Sequence, residues 1–193
     1  MVIAYHIMFT GYAQWLPNDP RGSMSEELRS PEIQRLGEVH LGRRDVQPTQ
    51  DQLKAFYREA EQHLAHPVLW FEREHRDTIG RAFGTVIADE RLTCYACAVL
   101  QNHVHVLIRK HRLKAEGIAH RLKTVSCDAM RTLSNVPDVH PVWAQRTDTR
   151  YKDTTERVWI CVDYINDNFR KHRIEVQEWD FVTPYDDWPL HKR

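Results

Sequence analysis

The sequence predicts an α+β fold, an antiparallel sheet with helices on its faces. Three observations carry that expectation. β-rich runs occur at 2–10, 91–110 and 146–154. Segments with apolar residues at helical spacing separate and follow them. Once one polar stretch near the start is set aside, the order is strand, helix, strand, strand, helix, strand, helix.

Each element has its own warrant. Residues 2–10 alternate loosely between apolar and polar and read as a strand. Residues 11–24 (GYAQWLPNDPRGSM) are rich in Gly, Pro, Asn and Asp and read as a loop. Residues 25–48 are polar with weak periodicity and read as a helix plus connection. Thr49 is a candidate N-cap for a helix over 49–65, with Leu53, Phe56, Tyr57, Ala60 and Leu64 on one stripe. Residues 71–90 form a second helix with Ile79, Ala82, Phe83, Val86 and Ile87 on its apolar face. RLTCYACAVL and HVHVLIRK are two strands joined by Gln101-Asn102, a two-residue hairpin loop. Residues 113–134 return to helical spacing through Ile118, Leu122, Val125, Ala129 and Leu133. A Pro-containing connection (135–146) leads to the short strand RTDTRYKDT. Thr154 or Thr155 can cap a last helix to about residue 172, with Val158, Cys161, Val162, Ile165 and Phe169 as its apolar face. The final 20 residues read as an extended segment wrapping the domain.

The chain therefore reads as one domain, 1–193, with an insertion around 22–66. Without the insertion the order is β-α-β-β-α-β, the ferredoxin-like split motif, plus an added C-terminal helix bearing Tyr164.

Composition narrows the function classes. No apolar run approaches the roughly 20 residues of a membrane helix. The N-terminus lacks a basic region before its apolar stretch, so it reads as a strand and not as a signal peptide. The expected location is cytoplasmic. The four cysteines, at 94, 97, 127 and 161, form no disulfide framework. Cys94-x-x-Cys97 lies in a strand, where residues three apart face opposite sides, so chelation is not expected. Lys plus Arg and Asp plus Glu are 27 each, giving zero net charge. That balance argues mildly against nucleic-acid binding, because nucleic-acid binders usually carry a basic excess. The charges are segregated, however. Between Arg109 and Arg131 the basic residues are Arg109, Lys110, Arg112, Lys114, Arg121, Lys123 and Arg131, against only Glu116 and Asp128.

Two groups of residues can carry chemistry. On a strand, His103 and His105 point to the same face, which suits two ligands of one divalent ion. Two exposed histidines on a half-solvated strand fit the pattern equally well. On the last helix, Tyr164 and Asn168 are four apart and share a face beside the apolar stripe. A phenol is a poor nucleophile unless its target is polarised or a base takes its proton. A packed tyrosine with a satisfied hydroxyl is the competing reading. His111, His120, His140 and His172 show no ligand-like spacing.

Taken together, QNHVHVLI on a hairpin strand and VWICVDYINDN on a late helix resemble the single-tyrosine HUH transposases, including the REP-associated tyrosine transposases. That family carries His-hydrophobic-His on a central strand and Tyr-Ile-x-x-Asn or Tyr-x-x-x-Gln on a late helix. YHIMFTGYAQWLPNDPRGS and PVWAQRTDTRYKD are similar to flanking segments of one bacterial subgroup. The resemblance implies an RRM-like sheet and a metal-dependent endonuclease and strand transferase acting on single-stranded, hairpin-flanked DNA. It implies Tyr164 as nucleophile, forming a 5′-phosphotyrosine, and His103, His105 and Asn168 as ligands of Mg²⁺ or Mn²⁺. Related enzymes form dimers, so a homodimer is a further expectation, with Tyr164 acting in cis or in trans.

Candidate DNA contacts are Arg109, Lys110, Arg112 and Lys114 after the histidine strand, Arg146, Arg150 and Lys152 before the tyrosine helix, and Arg170 and Lys171 on it. Trp15, Trp143 and Tyr151 are candidates for base stacking. Trp159 reads as core. Two other functions fit the same residues: a non-catalytic or domesticated single-strand binder, and a water-using metal phosphoesterase in which Tyr164 is a bystander.

Overall fold

The structure, a computed structural model, describes residues 1–23, 25–28 and 30–189. In chain order its elements are β1 (Ala4–Thr10), α1 (Pro31–Gln34), α2 (Gln50–Glu61), α3 (Arg73–Asp89), β2 (Cys94–Val99), β3 (His103–Arg109), α4 (Ala115–Met130), β4 (Asp148–Lys152) and α5 (Thr155–Lys171). The chain divides into two compact units. The first joins Met1–Gly11 to Trp70–Arg193, and the second is Tyr12–Leu69. No helix among the described residues is long and apolar enough to cross a membrane.

The first unit is built on one antiparallel sheet in the order β2-β3-β1-β4. This is the arrangement that a split β-α-β-β-α-β chain produces. Strand alternation divides the side chains between two faces. Tyr5, Ile7 and Phe9 of β1 and Val104, Val106 and Ile108 of β3 share one face and are buried. The helices α3 and α4 belong to that side: Phe83 of α3 meets Phe9 edge-on at 6.1 Å between ring centroids. The other face carries Ala4, His6, Met8 and Thr10 of β1 with His103, His105 and Leu107 of β3. There α5 docks through Val158, Cys161, Ile165 and Phe169 onto a cluster with Ala4, Ala96, Ala98 and Leu107. Thr154 caps α5 by accepting from the Arg157 N–H.

Three sequence expectations change. First, the buried stripe of α4 is Ile118, Ala119, Leu122, Ser126 and Met130, with Val125 and Ala129 only partly covered. Ser126 sits in the core because its Oγ donates to Leu122 O (2.5 Å) and accepts from Trp143 Nε1 (2.9 Å). Trp143 is accordingly core, edge-on to Phe9 and Phe71, and is withdrawn as a base-stacking candidate. Second, a register shift between Cys94 and Ala96 cancels the strand alternation. Cys94 stands opposite Ile108 and Cys97 opposite Val106, so both cysteines share a face. Both are fully enclosed, and burial raises both thiols, Cys94 to about 12, so they are neutral core residues. Third, Trp159 is 43% exposed, its Nε1 donating to Asp187 at 2.6 Å.

The tail covers an edge. β2 ends the sheet, and its unpaired backbone groups would be free to pair with another chain. Gln177 spans Val99, its Nε2 donating to Val99 O (2.9 Å) and its Oε1 accepting from Val99 N (3.0 Å). Val182 bridges to Cys94, and the Thr183 N–H donates to Cys94 O. Trp179 and Phe181, stacked 5.8 Å apart, rest on Gly80 and Gly84 of α3.

The second unit is built around the WLPNDPRG loop. Asp19 is fully buried and accepts from Arg21 N (2.8 Å), Nε (2.9 Å) and Nη2 (2.7 Å), with the Tyr57 hydroxyl against the same carboxylate. The Arg21 guanidinium stacks 3.9 Å over Trp15. Asn18 donates to Ile33 O and Gly37 O. Ala13, Leu16, Ile33 and Ala60 form its small core. Of the helix expected within 25–48, only the single turn α1 forms. α2 starts where expected, with Thr49 and Gln52 completing a capping box.

Candidate active site

β3 starts at the hairpin and presents His103 and His105 side by side, 4.9 Å between ring centroids. The alternation that buries Val104 and Val106 sends both imidazoles toward α5. β1 adds a third ring that sequence reasoning missed. His6 lies opposite Leu107, on the same face, and its Nε2 is 3.0 Å from His105 Nδ1. His172, at the C-cap of α5, adds a fourth, 5.2 Å from the His103 ring. Its position in the sequence shows no ligand-like spacing, but the structure brings it to the pair. The signal for it was the helical series 164, 168, 172, four residues apart.

Tyr164 projects from α5 onto this cluster. Its ring is 5.5 Å from His105 and 6.0 Å from His6, and 45% of the residue is exposed. The α5 stripe of Val158, Cys161, Ile165 and Phe169 is buried without it, so the phenol is not needed for packing. An open groove runs beside it, lined by Ile160, Asp163, Asn166, Asp167 and Arg170. Asn168 is buried, its Nδ2 donating to Tyr164 O at 2.7 Å. That bond fixes the amide and leaves Oδ1 as the end that can accept or ligate.

The electrostatics favour neutral imidazoles. Burial lowers His6 to about 4, helped by Lys152 and Arg150. Burial lowers His103 to about 3, helped by His105 and His172. Burial lowers His105 to about 3, helped by His6, His172, Arg150 and Lys171. Neutral imidazoles keep the lone pairs that a metal needs. Among the described residues, no three His, Cys, Asp or Glu side chains are grouped to hold a metal ion. An ion here would take two imidazoles and complete its shell with an amide, water or phosphate. The residues fit such an ion at one telling atom: His105 Nε2 is buried and has no hydrogen-bond partner among the described residues.

The candidate cations fall into two sets. Arg150 and Lys152 stand across from His6 and Ala4 on the histidine face of the sheet. Lys171 places Nζ 4.9 Å from the Tyr164 ring centroid, and Arg170 lines the groove. Arg150, Lys152 and Lys171 act electrostatically on His6 or His105, whereas Arg170 is paired with Asp167 and borders only the groove. Arg109, Lys110, Arg112 and Lys114 follow the far end of β3, about 20 Å from His103 at the usual rise per residue. Arg109 is stacked on Trp188 at 4.1 Å, and Lys114 is the N-cap of α4. Arg146 is exposed, and its carbonyl accepts from Lys123 Nζ at 2.8 Å. Of the remaining aromatics, Tyr151 is 53% exposed, with its hydroxyl toward Glu116, and Trp15 lies in the second unit under Arg21.

Fold and site together define an α+β protein that presents two neutral histidines and an exposed tyrosine on one face of an antiparallel sheet. No family model matches the chain, and no curated protein matches it. Among solved structures it is similar to a REP-associated tyrosine transposase bound to a REP hairpin, with a TM-score of 0.46 and 14% identity over 88% of this chain and 68% of that one. It is also similar to a candidate transposase from Deinococcus radiodurans, with a TM-score of 0.41 and 12% identity over 86% of this chain and 91% of that one.

Proposed function

We propose that this chain is a transposase-type single-stranded DNA endonuclease and strand transferase that uses Tyr164 as nucleophile and acts on hairpin-flanked DNA. The observation that carries the reading is the placement of the Tyr164 ring, half exposed, 5.5 Å from His105 and beside the His103–His105 pair. His103, His105 and Asn168 would hold Mg²⁺ or Mn²⁺, which when bound would draw charge from the scissile phosphate. The Tyr164 oxygen attacks phosphorus. The bond from phosphorus to the 3′-oxygen breaks, and the proton given up by the phenol is balanced by one taken up, through solvent, by the leaving oxygen, which departs as a free 3′-hydroxyl. The phosphate stays on Tyr164 as a 5′-phosphotyrosine. Because one ester replaces another, the step runs backward when a 3′-hydroxyl of a second strand attacks, which rejoins DNA without an external energy source. Arg150, Lys152 and Lys171 supply positive charge where the phosphate must sit.

Covalent trapping tests this reading. The protein is incubated with labelled single-stranded hairpin DNA from the flanks of its own gene, with Mn²⁺ or with EDTA, and run on denaturing gels. A metal-dependent adduct, lost in Tyr164→Phe and His103→Ala, is the expected result. Cleavage without adduct that survives Tyr164→Phe would establish the water-using phosphoesterase instead. Binding with neither cleavage nor adduct would leave a single-strand binder.

A further inference from the structure

We propose that His6 is a positioning residue that fixes the tautomer and orientation of His105; this rests on the reading of His105 as a metal ligand. The two rings meet diagonally across neighbouring strands, β1 and β3, with Met8 directly opposite His105 and Leu107 opposite His6. Both are buried, 3% and 4% exposed, with planes 31° apart and His6 Nε2 3.0 Å from His105 Nδ1. One hydrogen lies between those two nitrogens, and it belongs to one ring or the other.

If His6 donated, a neutral His105 would carry its own hydrogen on Nε2. That nitrogen is buried and has no hydrogen-bond partner among the described residues, so a hydrogen there would occupy the one position open to a cation. If His105 donates from Nδ1, its Nε2 is a bare lone pair aimed away from His6, the form that binds a cation. His103 follows the same pattern: its Nδ1 is 2.7 Å from Asn102 Oδ1, which leaves Nε2 free. Both histidines are thus anchored at Nδ1 by a neutral acceptor. Ligating histidines generally donate their second N–H to such a partner, and loss of the partner weakens metal binding about 10–100-fold.

Two measurements test this on the full chain. The first is ¹⁵N-detected NMR of the imidazoles without metal, expected to show His105 protonated on Nδ1 and bare on Nε2. The second is Mn²⁺ titration calorimetry on wild type, His6→Leu, His6→Gln and His103→Ala. His6→Leu removes the acceptor and should weaken Mn²⁺ binding about 10–100-fold. His6→Gln places an amide oxygen near the lost Nε2 and should recover most of that loss, which a purely structural role for the ring would not explain. A His105 carrying hydrogen on Nε2 overturns the inference. So does unchanged Mn²⁺ affinity in His6→Leu when His103→Ala has lost binding, and in that case the metal reading stands. Absence of Mn²⁺ binding in wild type overturns both. If His6→Leu fails to fold, the wild-type tautomer and the affinity of His6→Gln decide.

Discussion

Lys171 Nζ stands 4.9 Å from the ring centroid of Tyr164 while paired with Asp167 at 3.0 Å. The ammonium is therefore held over the phenol by an anchor on the same helix, one turn back. A cation in that position steadies the ring and, on the proposed mechanism, would favour negative charge on the phenol oxygen and the phosphate. Lys171→Gln should slow adduct formation about tenfold in single turnover, with the melting temperature little changed because the Lys171–Asp167 pair is partly exposed and such pairs contribute little. A wild-type rate would remove Lys171 from the site.

Gly80 is the floor on which Trp179 rests, and a methyl group there would overlap the indole. Gly80→Ala should destabilise the chain by about 1–3 kcal/mol, because the tail must lift from α3 or the helix must shift. Trp179→Ala alone loses the packing of the ring. The double variant should be no less stable than Trp179→Ala, since the clash is gone and alanine favours helix over glycine. Chemical denaturation of the four proteins measures the coupling, and additive losses would show that the two residues do not meet.

Much of this architecture was legible from periodicity. Phe83, Val86 and Ile87 of α3, and Val158, Cys161, Ile165 and Phe169 of α5, are buried as helical spacing requires. His103 and His105 share a face because strand alternation is local. What could not be read depends on register or on irregularity. His6 reaches His105 only because β1 pairs with β3 across 99 residues of sequence. The bulge that brings Cys94 and Cys97 to one face leaves no compositional mark. The α4 stripe was misplaced because a serine reads as polar, although Ser126 is satisfied inside the core by Trp143. Trp143 and Trp159 exchanged their expected environments for a similar reason: an indole in a loop can be core when its N–H finds a partner, and one on a helix can be exposed.

The buried histidines make stability depend on pH. Burial lowers His6 to about 4 and His103 and His105 to about 3 in the fold, from the ordinary value of about 6.5 that the unfolded chain keeps. Above pH 6.5 all are neutral in both states, and their contribution is intact. As pH falls below 6.5 the unfolded chain takes up protons that the folded chain refuses until pH 3–4, so stability declines through that window. Each histidine should cost about 1 kcal/mol between pH 7.5 and 5.5. Thermal melts in EDTA should show a lower midpoint at pH 5.5, and His103→Asn with His105→Asn should shrink the difference. Equal midpoints at the two pH values would mean that these rings are protonated in the fold.

Tyr164 lies 5.5 Å from the His105 ring of its own chain, an arrangement in which the proposed nucleophile and the proposed metal ligands would act together in cis. Complementation can read this directly. Tyr164→Phe removes the proposed nucleophile and His103→Ala a proposed metal ligand. If the tyrosine works in cis, a mixture of the two variants contains no complete site and should form no adduct above the sum of each alone. If helix α5 were exchanged between protomers, mixed dimers would pair an intact tyrosine with an intact histidine pair and recover up to about a quarter to a half of wild-type adduct, the fraction expected from random pairing. The mixture should be refolded together before the DNA is added, so that any dimers have exchanged subunits. Silence in that experiment, with each variant folded and able to bind the hairpin, would place cleavage within a single chain.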